Sequence, residues 1–346
     1  MIKVLIVDDS AFMRNTISSM IAADPELEVI GMARDGIEAI DKVASLKPDI
    51  VTLDVEMPRM DGIEALKHIM SKTPVPVLMV SSITTDGAEV TLDALDMGAV
   101  DFIPKNLSDL SINIVKIKEI LVHKLKSIGR RGLVMQKIRK PSKPMKMPTP
   151  TQYASHRKTG VVAIGSSTGG PKALQMIIAN IPKDFPVPIL IAQHMPPAFT
   201  GPFAERLNQI SALEVKEAED GEPIKKGMVF IAPGGRHMGV KRKKITESSI
   251  EISSDNGEYI YKPSADYLML STTGTFSGHV LGVILTGLGN DGTEGMKEIK
   301  NRGGRTIAES EESCVVFGMP KSVIQAGVAD KIVKLDEIAG EIINAV

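Results

Sequence analysis

Two groups of residues in this 346-residue sequence have the types and spacing to do chemistry. The first is acidic. Asp8 and Asp9 follow the apolar residues 4–7, Asp54 follows 50–53, Ser81 follows 75–80, and Lys105 lies just beyond 100–103. Three carboxylates gathered in one place repel one another and raise each other's pKa unless a cation compensates. Mg2+ suits an all-oxygen, water-rich site of this kind. The Lys105 ammonium and the Ser81 hydroxyl could neutralise and hydrogen-bond a phosphoryl group on Asp54, so hard-cation binding leads to an inference of phosphoryl transfer. Taken alone, Asp8 or Asp9 reads as a cap of the following helix, with Ser10 competing for that role; the five positions together favour the site.

The second group centres on Gly165-Ser166-Ser167-Thr168-Gly169-Gly170, a G-x-S-x-G pattern with Ser167 in the middle. Small residues allow a tight strand-to-helix turn that exposes a hydroxyl, and the helix N-terminus offers N–H groups to an oxyanion. The pattern also fits a Gly/Ser turn without chemistry. A phosphate-cradling P-loop fails on spacing, because Pro171 precedes Lys172 and Ala173 stands where Ser or Thr is needed. Partners strengthen the nucleophile reading. His194 directly follows the predicted strand 188–193, and Asp291 lies in the loop after 280–286. A serine needs a general base, and the imidazole needs an acceptor that fixes its tautomer. His237 and His279 are rival bases, although neither ends an apolar strand as His194 does. The order Ser, His, Asp along the chain differs from the α/β-hydrolase order, which indicates an unrelated fold with the same constellation. Gly287 to Gly292 also spells G-x-G-x-x-G, with Glu309 after the next strand, like a dinucleotide fingerprint. Asp291 would then put a carboxylate where the pyrophosphate belongs.

These residues need elements that bring them together. Apolar runs at 2–7, 28–33, 50–53, 75–80 and 100–103 alternate with amphipathic stretches at 11–22, 37–45, 62–70, 88–97 and 112–126. Such alternation predicts a doubly wound five-stranded parallel sheet with helices on both faces. In that architecture ligands sit beyond the carboxyl ends of the strands. Residues 127–158, with scattered prolines among lysines and arginines, read as a linker. From residue 159 a second series begins, with strands at 161–164, 188–193, 228–232, 280–286 and 306–308, a β-like patch at 237–260, and helices between and after them. This predicts an α/β domain with a mainly parallel sheet. The organisation is therefore 1–126, 127–158 and 159–346.

The formal net charge of −1 hides a division: residues 1–119 carry −9, residues 120–158 carry +11 and residues 159–346 carry −3. A DNA-binding output domain would exploit the basic segment, but no helix-turn-helix pattern appears and the last domain is net acidic, so no nucleic-acid partner is expected. A single cysteine, Cys314, excludes an internal disulfide and fits a reducing compartment. No leader or membrane span is apparent, so a cytoplasmic protein without membrane insertion is expected. Aromatic residues make up 3% of the chain and Trp is absent, so the cores are expected to be aliphatic.

Residues 1–125 resemble a response-regulator receiver domain, through Val-Asp8-Asp9-Ser, Leu-Asp54-Val-Glu-Met-Pro-Arg-Met-Asp-Gly, Ser81 and Lys105. Asn106 follows Lys105 where many receivers carry proline. The resemblance implies that Asp54 accepts phosphate from a histidine kinase, that Asp8, Asp9 and Asp54 bind Mg2+, and that Ser81 with Phe102 and Lys105 forms a conformational switch. Residues 159–346 contain Gly-Ser-Ser167-Thr168-Gly-Gly, Ala-Gln-His194-Met195-Pro-Pro, Ile-Ala-Pro233-Gly-Gly-Arg-His237-Met, Leu-Thr-Gly-Leu288-Gly-Asn-Asp291-Gly and Ser-Cys314-Val-Val-Phe-Gly-Met-Pro320. Five motifs in one order resemble the chemotaxis protein-glutamate methylesterase (CheB) family. This implies a triad of Ser167, His194 and Asp291, with Thr168 and Leu288 near the oxyanion; many members have Met at the Leu288 position. It implies hydrolysis of glutamate γ-methyl esters on chemoreceptors without a cofactor for that step, deamidation of receptor glutamines, and relief of inhibition when Asp54 is phosphorylated.

Overall fold

Four β-branched and aliphatic runs of the N-terminal half, at 2–7, 50–54, 77–81 and 101–104, are buried along most of their length, which requires a sheet covered on both faces, whereas the run at 27–33 is mostly half-buried. This computed structural model describes residues 1–82, 84–105, 114–135, 158–244, 247–254 and 259–346, and the chain divides into two compact units, Met1–Lys143 and Pro144–Val346.

In the first unit the elements run β1 (Ile2–Val7), α1 (Ala11–Ala22), β2 (Leu27–Ala33), α2 (Gly36–Leu46), β3 (Ile50–Asp54), α3 (Gly62–Lys72), β4 (Val77–Ser81), α4 (Thr85–Asp96), β5 (Asp101–Pro104) and α5 (Ile114–Met135). All strand pairs are parallel, in the order β2-β1-β3-β4-β5. This is the expected doubly wound sheet. Ser10 caps α1 by accepting from the Met13 N–H at 3.4 Å, so neither Asp8 nor Asp9 is consumed as the cap.

Helix α5 corrects one boundary. It continues to Met135, nine residues into the segment read as linker; the rest of that segment, 136–157, and residues 112–113 at the predicted helix start lie outside the described residues. Leu121, Leu125 and Ile128 are buried at helical spacing. Part of the basic charge is used in ion pairs: Lys126 with Asp24 at 3.1 Å and with Glu26, Arg130 with Glu26, and Lys124 with Asp101.

The second unit contains β6 (Val161–Ser166), α6 (Gly170–Ile178), β7 (Ile189–Gln193), α7 (Pro197–Ile210), β8 (Glu214–Glu217), β9 (Met228–Ile231), β10 (His237–Arg242) and β11 (Ser248–Ser253). After them come α8 (Ala265–Phe276), β12 (Val280–Ile284), α9 (Thr293–Asn301), β13 (Arg305–Glu309), α10 (Met319–Gln325), β14 (Lys331–Val333) and α11 (Leu335–Asn344). Seven strands form a wholly parallel sheet in the order β14-β13-β12-β6-β7-β9-β8, and β10 and β11 form an antiparallel pair within the patch expected to be β-like. The chain winds outward in both directions from β6, so the switch point lies between β6 and β12. That is where such sheets open a crevice. Phe199, Phe203 and Phe230 are the largest fully buried side chains in an otherwise mostly aliphatic interior. Among the described residues, no helix is long and apolar enough to cross a membrane.

Candidate active site and acidic pocket

The carboxyl ends of β1 and β3 place Asp8, Asp9 and Asp54 so that one oxygen from each lies within 4.8 Å of the others. Asp8 and Asp54 are buried and Asp9 is exposed. Asp8 Oδ1 accepts the Ser10 N–H at 2.9 Å, whereas the buried Oδ2 accepts no hydrogen bond among the described residues and faces the Lys105 ammonium at 3.5 Å. Lys105 pairs closely with Asp54 Oδ2, and Asp54 Oδ1 accepts the Glu56 N–H at 3.3 Å. Burial pushes Asp54 up to about 7 against the pull of Lys105, with the Asp8 charge adding to the rise. Burial also raises Asp8, with Lys105 opposing it. One ammonium does not offset this concentration of negative charge. A hard dication fits the donor set, because it would take up the Asp8 oxygen that accepts no hydrogen bond among the described residues. Ser81 ends β4 at the same rim, yet its hydroxyl is turned to α4, bonded to Thr91 Oγ1 at 2.6 Å and the Gly87 carbonyl at 3.3 Å. Phe102 is buried on β5.

In the second unit, three strand ends meet through backbone hydrogen bonds. The His194 N–H donates to the Ser166 carbonyl at 3.0 Å, and the Ser167 N–H donates to the Thr286 carbonyl at 3.0 Å. Ser167 is therefore fixed between the ends of β7 and β12. His194 Nε2 lies 2.7 Å from Asp291 Oδ2. Asp291 also accepts from the Ser264 hydroxyl at 2.8 Å and from the Ala265 and Asp266 N–H groups at 2.6 and 3.0 Å, at the N-terminus of α8. Burial would raise this carboxyl, but the bond and charge of His194 and the α8 amides outweigh it and hold Asp291 below the usual carboxylate range. An ionised Asp291 only accepts, so Nε2 carries the proton. His194 Nδ1, the other ring nitrogen, is buried with no hydrogen-bond partner among the described residues. Burial, with the Asp291 charge next to it, pushes the neighbouring Asp266 the other way, upward.

The turn bearing Ser167 is tight for a steric reason. Gly169 has φ of 77° and caps α6; a Cβ there would lie 2.6 Å from Val315 Cβ, and one at Gly170 would lie 2.0 Å from Gln193 Oε1. Gln193 is a supporting residue that sequence reading missed. Its amide donates to the Ser167 and His194 carbonyls at 3.0 and 3.1 Å while accepting from the Ser166 hydroxyl at 2.7 Å, so it ties both turns together. A polar side chain ending an otherwise apolar strand was the available signal. Ser264 was also missed; it doubles as the α8 cap, accepting the Tyr267 N–H at 3.2 Å. The fifth motif is a brace: Val316 accepts the Gly287 N–H at 3.0 Å, and the Gly318 and Met319 N–H groups donate to the Gly287 carbonyl at 3.0 and 2.9 Å. This holds the loop bearing Leu288. Thr168 is buried, its carbonyl accepting from Thr286 Oγ1 at 2.8 Å, and its own hydroxyl has no hydrogen-bond partner among the described residues.

The rivals lie elsewhere. His237 is buried on β10, stacked with Tyr267 at 4.7 Å between centroids. His279 precedes β12, at the opposite end of that strand from Asp291, with Nδ1 2.7 Å from the Lys158 carbonyl. Glu309 does not wait for a ribose: its carboxylate accepts the Thr286 N–H at 2.8 Å and the Ser313 hydroxyl at 2.9 Å.

A family profile described as CheB methylesterase matches residues 162–342, and one described as response regulator receiver domain matches residues 4–114. The chain is 49% identical over 368 residues to the protein-glutamate methylesterase/protein-glutamine glutaminase 1 of Oleidesulfovibrio alaskensis, with 100% of each chain covered. It is 46% identical over 345 residues to the protein-glutamate methylesterase/protein-glutamine glutaminase of Halalkalibacterium halodurans, covering 99% of this chain and 98% of that one. The crystal structure of the Thermotoga maritima CheB methylesterase catalytic domain is similar at a TM-score of 0.53 and 46% identity, over 55% of this chain and 100% of the other.

Proposed function

The chain belongs to the CheB methylesterase family, and on that premise we propose that it hydrolyses glutamate γ-methyl esters on chemoreceptors, deamidates receptor glutamines, and is regulated by phosphorylation at Asp54. The observation that carries the hydrolytic reading is the His194–Asp291 bond of 2.7 Å at the switch point beside Ser167. Because Nε2 is committed to Asp291, Nδ1 is the nitrogen left to act as base.

Ser167 Oγ attacks the ester carbonyl carbon as its proton passes to His194 Nδ1. The new imidazolium is stabilised by Asp291, whose charge is maintained by the α8 amides and Ser264. The tetrahedral oxyanion is met by backbone N–H groups in the region of Thr168 and Leu288. Its collapse breaks the C–O bond, and the methoxide leaves as methanol with the proton from Nδ1. Water, deprotonated by the same nitrogen, then attacks the acyl carbon, and the bond to Ser167 Oγ breaks as Nδ1 returns the proton to that oxygen and the glutamate carboxylate is released. A glutamine side chain follows the same course and releases ammonia. A protein in which Ser167 is replaced by alanine should lose methanol release from methylated receptor by at least ~10⁴-fold. Undiminished turnover would remove Ser167 from the mechanism.

In the receiver, Asp8, Asp9 and Asp54 would hold Mg2+, which when bound supplies charge neutralisation at phosphoryl oxygens. Asp54 is the acceptor for a phosphoryl group from a histidine kinase, and Lys105, already paired with it, is placed to hold the product's charge. Ser81 must leave its bond to Thr91 to reach that group, and this rotation, with Phe102, is the switch we assign. Phosphorylation at Asp54 shifts the population toward the catalytically active form. A small phosphodonor with Mg2+ should raise methanol release, and chelation of the metal should abolish the rise; the same rise without divalent metal would exclude the cation role.

A further inference from the structure

Tyr261 lies in the segment before α8 and ends no sheet strand, yet its ring is stacked on the His194 imidazole, with centroids 4.2 Å apart and planes 12° apart. The same side chain reaches the loop after Leu288. A Cβ on Gly289 would lie 3.3 Å from the Tyr261 hydroxyl, and Gly289 has φ of 84°, so this loop both needs glycine's backbone freedom and lies against the phenol. The segment is anchored on either side. The next residue, Lys262, accepts the Gly235 N–H at 3.2 Å, and Ser264 donates to Asp291 at 2.8 Å.

We propose that Tyr261 is a positioning residue for hydrolysis, its ring face fixing the plane of His194 and stabilising the imidazolium that forms when Nδ1 takes the Ser167 proton. The inference rests on the reading of His194 as base. Among the described residues three groups set the charge around this imidazole: Asp291 on Nε2, Tyr261 on one ring face, and Asp266, whose charge acts on Asp291. Only Tyr261 contributes a π-face. A neutral imidazole gains little from it, whereas an imidazolium is attracted to the negative face of the ring, most strongly where water is excluded. The interaction therefore strengthens as the reaction proceeds, and belongs in kcat more than in KM. Burial, with the Asp291 charge nearby, raises the Tyr261 phenol and keeps its ring neutral at the pH of catalysis.

The test uses the full-length protein with phenylalanine, or phenylalanines carrying increasing numbers of ring fluorines, at position 261. Fluorine drains the negative face while preserving shape, and thermal unfolding of each variant confirms that the fold is retained. Phenylalanine should keep kcat within about threefold, and the most fluorinated ring should lower it by about tenfold or more, with KM changed by less than about twofold. Losing imidazolium stabilisation makes the base less basic, so the acid limb of the pH–rate profile should move to lower pH along the series. A flat series, or a change confined to KM, would overturn the assignment. A Ser167→Ala control separates the two readings: if it remains active, the triad fails, whereas if it is inactive and the series is flat, only the role of Tyr261 fails.

Discussion

The acidic pocket and the serine site occupy equivalent places, the carboxyl edges of two parallel sheets, and each depends on a buried aspartate whose surroundings differ. Asp291 is saturated: two amides, a hydroxyl and an imidazole converge on its two oxygens. Asp54 is undersupplied, with one ammonium and one long amide contact for a charge that burial and Asp8 oppose. A carboxylate whose lone pairs are filled cannot attack or take up a cation; it can orient a neighbour. One left with spare capacity is reactive. On the function proposed, the same residue type at the same place in the fold serves as an orienting group or a phosphoryl acceptor according to how many donors reach it.

The largest test of this contrast is Asp291→Asn. It keeps the shape but puts an NH₂ group among donors, and kcat should fall by about 10⁴-fold with the wrong imidazole tautomer favoured. A fall below about tenfold in methanol release would show that saturation by α8 is not what orients His194. Asp54→Asn comes next. It should eliminate stimulation by phosphodonor, and it has a stability signature of opposite sign to that of Asp291. The folded-state pKa of Asp54, about 7, lies above the usual 3.8, so its contribution is fully present below about pH 4 and is lost as pH rises through 7. With metal chelated, the asparagine variant should therefore be more stable than the parent at pH 8, by on the order of 4 kcal/mol, and the gap should close near pH 4. Added Mg2+ at pH 8 should stabilise the parent alone. Asp291 behaves in reverse: its depressed pKa gives stability above about pH 4 that is lost as pH falls toward the folded value. Denaturant unfolding of both variants across pH would expose any failure of these signs. The smallest effect is expected for Thr168→Val. The Thr168 hydroxyl has no hydrogen-bond partner among the described residues, so if only the backbone meets the oxyanion, kcat should change by no more than about threefold. A loss of about 100-fold would assign that hydroxyl to the transition state.

Much of this was legible beforehand because candidate site residues at strand ends leave a mark: an apolar run, then a polar residue able to do chemistry. Ser167, His194, Asp8 and Asp54 all carry it. What escaped was of another kind. β8 and β14 are short edge strands, Glu214–Glu217 and Lys331–Val333, whose charged composition hides their pairing. The last turns of α5 were hidden by basic residues whose acidic partners, Asp24 and Glu26, lie about a hundred positions away. The direction of the Ser81 hydroxyl could not be read either, because the Ser82 and Gly87 carbonyls both accept from it and only packing brings the Thr91 hydroxyl to donate to it.

By itself the sequence determined the two α/β units, the residues at their strand ends and the family to which they belong, since local hydrophobic period and short motifs survive without any knowledge of neighbours. Tertiary structure alone decided the charge states and the supporting contacts. Gln193 bridging two turns, α8 aimed at Asp291 and Tyr261 lying over His194 each join residues distant in sequence, and the energy of a buried carboxylate depends on the sum of such donors, which no single segment encodes.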